Sequence, residues 1–269
     1  MNGTAVGEGA KAAALKLAVV SAATKNSALQ SMKRSLDSHR KKILDANKKD
    51  IQDAKRTKIG NSLIQRLELN DKKIDEMIAQ LDDVMKLDDL IGKTLFSSEL
   101  SSGLELFQIS VPIGVIGIIF ESRPDALVQI SALCIKSGNA AILKGGSEAK
   151  HTNKLLFELI DNALTESNFP KNTIQLIETR EDVQKILKLD RYIDLLIPRG
   201  SNRFVQFIKE NTKIPVLGHA EGICHVYVDK DANLNKATAI AIDAKCQYPA
   251  ACNAMETLLV HAGIAPSFF

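Results

Sequence analysis

Apolar residues recur at three-, four- and seven-residue intervals across residues 27–91, the period of helices that bury one face. Leu29, Met32, Leu36, Ile43, Leu44 and Ile51 form a first block, with Lys, Arg and Asp between them. Ile64, Leu67, Ile74, Met77, Ile78, Leu81, Val84 and Met85 form a second, with Asn70 or Asp71 standing as its cap. The pattern therefore predicts helix throughout this stretch. Residues 1–24 are rich in small side chains, and their apolar run, 12–23, is broken by Lys16. That run is too short to span a bilayer, and it reads as a frayed first helix.

At Leu104 the period changes. Leu104, Leu106 and residues 109–111 read as a strand, and residues 113–120 form a continuous apolar run rich in β-branched side chains. Such a run suits a strand buried on both faces, as in a parallel sheet. Pro124 stands at a first helical position, and the helix over 125–136 should stop at Gly138. The alternation then continues with strands at 140–143, 173–177, 193–197 and 223–228, and helices at 148–165, 181–189, 201–212 and 234–245. Ser201 is placed to cap its helix. Short joints between strand and helix are the signature of an α/β fold with a doubly wound, mostly parallel sheet, here preceded by a helical segment. The expected organisation is a helical part over 1–95, a nucleotide-binding domain over 96–248, and the start of another domain from 249 to 269.

Composition narrows the functional classes. The 269 residues are 45% hydrophobic and 25% charged, the balance of an ordinary globular chain. A net charge of +3 is too slight to argue for nucleic acid. Tryptophan is absent and aromatics are 4%, which leaves no stacking platform for single strands. Basic clusters at Lys33-Arg34, Arg40-Lys41-Lys42 and Lys48-Lys49 are interleaved with Asp37, Asp45, Asp50 and Asp53, as on a solvated helix face. The four cysteines, at 134, 224, 246 and 252, show no CxxC spacing, so no disulfide framework is expected, and the short apolar run at 12–23 gives no reason to expect a membrane partner. A zinc set of Cys224, His225, Cys246 and Cys252 fits no standard spacing. The expected compartment is the cytoplasm, with the mitochondrion as the alternative.

Two features carry chemistry. Pro249-Ala250-Ala251 is a small-residue turn that delivers Cys252, followed by Asn253 and the strand-like residues 256–260. A thiol on such a turn can be bare to substrate while nearby backbone N–H groups face a reacting carbonyl. The second feature is a pair of strand-to-helix joints, Lys144-Gly145-Gly146-Ser147 and Pro198-Arg199-Gly200-Ser201. Each offers backbone N–H groups and a helix N-terminus to a phosphate, although either alone is ordinary capping. No GxGxxG is present, since Gly114 and Gly117 stand too close and within a strand pattern.

The segment 243–260 closely resembles the active-site stretch of the gamma-glutamyl phosphate reductase family, within the aldehyde dehydrogenase superfamily. Residues 111–124, 136–147, 193–202 and 214–227 resemble the same family in the same order. The resemblance implies an aldehyde-dehydrogenase-like fold and an enzyme that reduces L-glutamyl 5-phosphate to L-glutamate 5-semialdehyde with NADPH, in proline biosynthesis. It implies Cys252 as the nucleophile that forms a thioester. Lys144, within the Lys144–Ser147 joint, would meet the ribose or 2′-phosphate, and Gly200 and Ser201 would lie near the pyrophosphate. Arg123 falls on an active-site loop, where it would attract an anionic substrate or pair on the surface with Glu121 or Asp125. Asn253 is a further substrate-side candidate. The full-length relatives are expected to be homo-oligomers.

One departure from the superfamily is informative. Hydrolytic aldehyde dehydrogenases place a glutamate base where this chain has roughly Leu217-Gly218-His219-Ala220. A reductase that releases an aldehyde has no water to activate, so that difference suits the reductive direction. His219 then reads as a substrate contact or a polar turn residue. Only 17 residues follow Cys252, which predicts a chain short of one wall of its cleft and poor in turnover. The rival reading is a cofactor-binding or subunit-interaction fragment of this reductase.

Overall fold

The structure, a computed structural model, describes residues 2–121, 123–218, 222–249, 251 and 253–269, and only the backbone of Ser62. It contains two compact units, Met1–Gly218 and His219–Phe269.

The first unit opens with five helices, α1 (Gly3–Leu17), α2 (Ala22–Ser38), α3 (Arg40–Arg56), α4 (Asn61–Leu67) and α5 (Asp71–Lys86). The helical stretch predicted over 27–91 is thus divided at His39, at residues 57–60 and at residues 68–70, where the Asn70 side chain accepts a backbone N–H to start α5, while Ser21 caps α2 ahead of it. A hairpin follows, β1 (Thr94–Ser101) and β2 (Leu104–Ile109), turning at Gly103 with φ +78°. The alternating part is β3 (Val115–Ile119), α6 (Pro124–Lys136), β4 (Ala140–Lys144), a 3₁₀ turn (Ser147–Ala149), α7 (Lys150–Glu166), β5 (Ile174–Leu176), α8 (Arg180–Ile186), β6 (Leu195–Pro198) and α9 (Asn202–Glu210).

Strands β3 to β6 form one parallel sheet in the order β5-β4-β3-β6. The connections β3–α6–β4–α7–β5 step one way along the sheet, and the return through α8 to β6 steps the other. Right-handed crossovers therefore place α6 and α7 on one face and α8 on the opposite face. The strand order reverses between β3 and β6, and the carboxyl ends of those strands flank the crevice where such sheets bind ligands. Every residue of β3 is buried, as its apolar run requires.

The N-terminus differs from the expected frayed helix. Helix α1 packs on the sheet and on α8, and Ala10, Ala13, Ala14 and Leu17 are buried. Small side chains let the helix approach the strands closely. Asp194 fixes it in place: its carboxylate accepts from Lys11 Nζ at 2.8 and 2.9 Å and from the Val115 backbone N–H at 2.8 Å. Gln175 Nε2 also donates to the Val6 carbonyl, 2.9 Å.

The second unit holds β7 (His225–Val228), α10 (Leu234–Cys246), β8 (Thr257–Val260) and α11 (Ala265–Phe268). Strands β7 and β8 pair in parallel, with α10 as their crossover. Among the described residues no helix is long and apolar enough to cross a membrane.

Candidate functional site

Parallel pairing aligns the carboxyl ends of the first unit's strands. Ile119 lies opposite both Lys144 and Pro198, so β3, β4 and β6 end at one level. The backbone then ties the loops together: Phe120 N–H donates to the Lys144 carbonyl at 3.0 Å, and Arg199 N–H to the Ile119 carbonyl at 2.7 Å. The two strand-to-helix joints singled out in the sequence therefore emerge on the same edge of the sheet.

Lys144 is the last residue of β4 and half-buried. Burial lowers its ammonium pKa and Arg180 adds to that effect, while Glu148 and Glu121 oppose it; the net shift is downward. Gly145, Gly146 and Ser147 follow, and together with Lys150, Asn153 and Glu178 they line a hollow of about 200 Å³. Leu176, Ile177 and Thr179 complete it. A Cβ added at Gly145 would come within 2.2 Å of Asn153 Nδ2, so only glycine lets the buried amide lie against this turn. Asn153 is 3% exposed and its Oδ1 has no hydrogen-bond partner.

At the other joint, Ser201 caps α9, its Oγ accepting from the Phe204 backbone N–H at 3.3 Å. A Cβ on Gly200 would stand 3.0 Å from Phe204 and 3.1 Å from the Glu121 carboxylate, so the loop after β3 closes on the loop after β6. Arg123 forms an ion pair with Asp125 at 2.8 Å, the surface pairing the sequence allowed. Asn253 is an exposed turn residue of the second unit. Cys252 and His219, the nucleophile and substrate-side candidates, lie outside the described residues.

The glycine turn, half-buried lysine and orphaned buried amide give this edge what a nucleotide needs: open backbone, positive charge and unsatisfied polar atoms. The sequence matches the aldehyde dehydrogenase family over residues 3–269. The chain belongs to that family. Gamma-glutamyl phosphate reductase of Methanococcoides burtonii is 55% identical over 264 residues, 96% of this chain and 59% of that protein. Its counterpart from Acetivibrio thermocellus is 52% identical over 256 residues, 95% of this chain and again 59% of that protein. The crystal structure of gamma-glutamyl phosphate reductase from Thermotoga maritima superposes with a TM-score of 0.92 at 39% identity, covering all of this chain and 65% of that one. The chain thus spans about 59% of the length of those curated relatives.

Aldehyde dehydrogenases use a nicotinamide cofactor, and the residues around the hollow fit one. Lys150, Asn153 and Glu178 escaped the sequence reading. Glu178 offered a signal there, being an acid just past a strand and beside a glycine-turn strand. Asn153 offered none, because its importance lies in having no partner.

Proposed function

We propose that the chain carries the cofactor-binding and nucleophile portion of a reductase that converts L-glutamyl 5-phosphate to L-glutamate 5-semialdehyde with NADPH, in proline biosynthesis. The observation that carries this reading is identity above one half, over nearly the whole chain, to relatives named gamma-glutamyl phosphate reductase.

The residues have separable tasks. Cys252 thiolate attacks the acyl phosphate, expels phosphate and holds the glutamyl group as a thioester, dividing one difficult step into two easier ones. Bound NADPH supplies the hydride that takes the thioester to the aldehyde level. Lys144 holds the ribose end of the cofactor by charge, assisted by the Gly145-Gly146-Ser147 turn. Gly200 leaves room for close approach of the pyrophosphate, and the backbone N–H groups at the start of α9 favour its charge. Arg123, itself exposed, draws the anionic substrate, exchanging its contact with the partly buried Asp125 for one with a phosphate or carboxylate; His219 and Asn253 are assigned to the substrate side. The domain reading is a cofactor portion to about residue 248, with residues 249–269 opening a catalytic portion. The cytoplasm and a homo-oligomer remain the assigned setting of the whole protein.

The test is reduction of NADP⁺ with glutamate 5-semialdehyde and phosphate, on this chain and on a chain of the relatives' full length. The expected result is phosphate-dependent reduction by the longer chain, abolished by Cys252→Ala, with NADPH bound by both. Reduction that needs no phosphate, or that survives Cys252→Ala, overturns the reading. In a fluorescence titration Lys144→Ala should weaken NADPH more than NADH, because in this reading the lysine faces the extra phosphate. Equal weakening would remove Lys144 from that role.

A further inference from the structure

The hollow between the carboxyl ends of β4 and β5 contains a charge pair with no part in the reaction just described. Lys150, the first residue of α7, faces Glu178, just past β5, with Nζ and Oε2 3.7 Å apart. Their side chains are 60% and 43% exposed, so the pair is loose and solvent-screened and its partners exchange readily. Beside them Asn153 is almost wholly buried with an unpartnered Oδ1. An acceptor left without a partner, in a residue that lines the hollow, points to a polar ligand there. Its roughly 200 Å³, lined by Leu176 and Ile177 as well as by polar groups, suits one nucleoside end rather than a dinucleotide.

We propose that Lys150 and Glu178 together read the 2′ substituent of the nucleotide's adenosine ribose, in opposite senses. The inference rests on the nucleotide reading above. A carboxylate at this place in a nucleotide-binding sheet accepts from a free ribose hydroxyl, whereas a cation accommodates a 2′-phosphate. Here the two groups face each other, so each substituent must compete with the pair. A 2′-hydroxyl donates to Glu178 and leaves Lys150 where it is. A 2′-phosphate draws Lys150 away and then lies beside the Glu178 carboxylate, which repels it. Glu178 therefore limits a preference for the phosphorylated nucleotide that the nearby lysines would otherwise enlarge.

The experiment is calorimetric titration of this chain with 5′-AMP and with adenosine 2′,5′-bisphosphate, which probe the adenosine end alone and need no turnover. Glu178→Gln should raise the affinity ratio of bisphosphate to AMP by about 3- to 10-fold, the scale of one partly screened charge contact with a phosphate. Lys150→Gln should lower the same ratio by a similar factor. Both positions are exposed, and circular dichroism checks that the variants fold. Ratios unmoved in both variants overturn the inference and leave the nucleotide site standing. A response to Lys150→Gln without one to Glu178→Gln overturns the opposing role of the carboxylate. If neither ligand binds the unaltered chain at millimolar concentration, the nucleotide reading falls along with it.

Discussion

Cys134 lies buried in α6, where removal from water pushes its thiol up to about 12, so it stays protonated at neutral pH. Cys246 is exposed at the end of α10 and Cys224 partly so, which leaves them as the competitors of Cys252 for an alkylating reagent. Iodoacetamide near neutral pH, with the sites mapped by mass spectrometry, should label Cys252 first and Cys134 only on unfolding. Equal rates at Cys246 and Cys252 would sink the nucleophile assignment. Packing gives a second expectation at this scale. A Cβ on Gly117, in the middle of β3, would lie 2.5 Å from Leu196 Cδ2, and Leu196 is itself fully buried. Gly117→Ala should therefore destabilise the fold by about 1–3 kcal/mol, read from denaturant midpoints at unchanged slope. Some single residues were legible in the sequence: Asn70 and Ser201 cap their helices, and Gly138 ends α6 with φ +70°. Each acts on backbone a few residues away. Asn153 was not legible, because an unmet hydrogen bond exists only once tertiary neighbours are in place.

The elements follow the same division. The buried strands announce themselves, since β3 and β4 must be apolar on both faces. Strand β1 does not, because almost every one of its side chains is exposed and neither face imposes an alternation. Helix α1 reads as frayed for a related reason: alanine carries little hydropathy, yet its small size is what admits the helix to the sheet. Between α2 and the loop after α5, Lys25 is 1% exposed and donates to both Asp89 carboxylate oxygens, at 3.1 and 2.9 Å. Burial alone would raise the Asp89 pKa, but Lys25, the Ile91 N–H and the Lys136 charge together hold it below the usual carboxylate range. A depressed carboxylate contributes stability that is present above its unfolded pKa and is lost as pH falls through the folded one. Asp89→Asn should cost up to about 3 kcal/mol at neutral pH by leaving a buried ammonium without its counter-charge. The deficit should shrink as both proteins are acidified below the ordinary carboxylate range. A deficit constant with pH in urea titrations would mean that the loss is one of packing.

At the scale of the whole molecule, ligand binding and stability are one quantity, because a nucleotide that binds only the folded chain stabilises it by mass action. At one hundred times its Kd this amounts to about 2.7 kcal/mol. For a chain of this size that corresponds to a rise in Tm of about 5–10 °C, read by differential scanning fluorimetry. The alternation of strand and helix and the glycine turn that make such a site were readable as strand-to-helix joints. Their convergence on one edge was not, since it depends on the β5-β4-β3-β6 order that no local pattern encodes. The predicted cofactor adds a pH dependence to this shift through Lys144. Burial depresses the ammonium pKa in the free protein, so its positive charge is lost at a lower pH than an ordinary lysine's. A phosphate nearby favours the charged form, and binding therefore takes up protons wherever free Lys144 has begun to lose its own. The Tm increment from saturating NADPH should accordingly diminish as pH rises toward the ordinary lysine range, before exposed lysines titrate. In Lys144→Ala the increment should be smaller at neutral pH and flatter with pH. A wild-type increment that holds constant up to the ordinary lysine range, or one that falls equally in the variant, would show that Lys144 does not hold the phosphate.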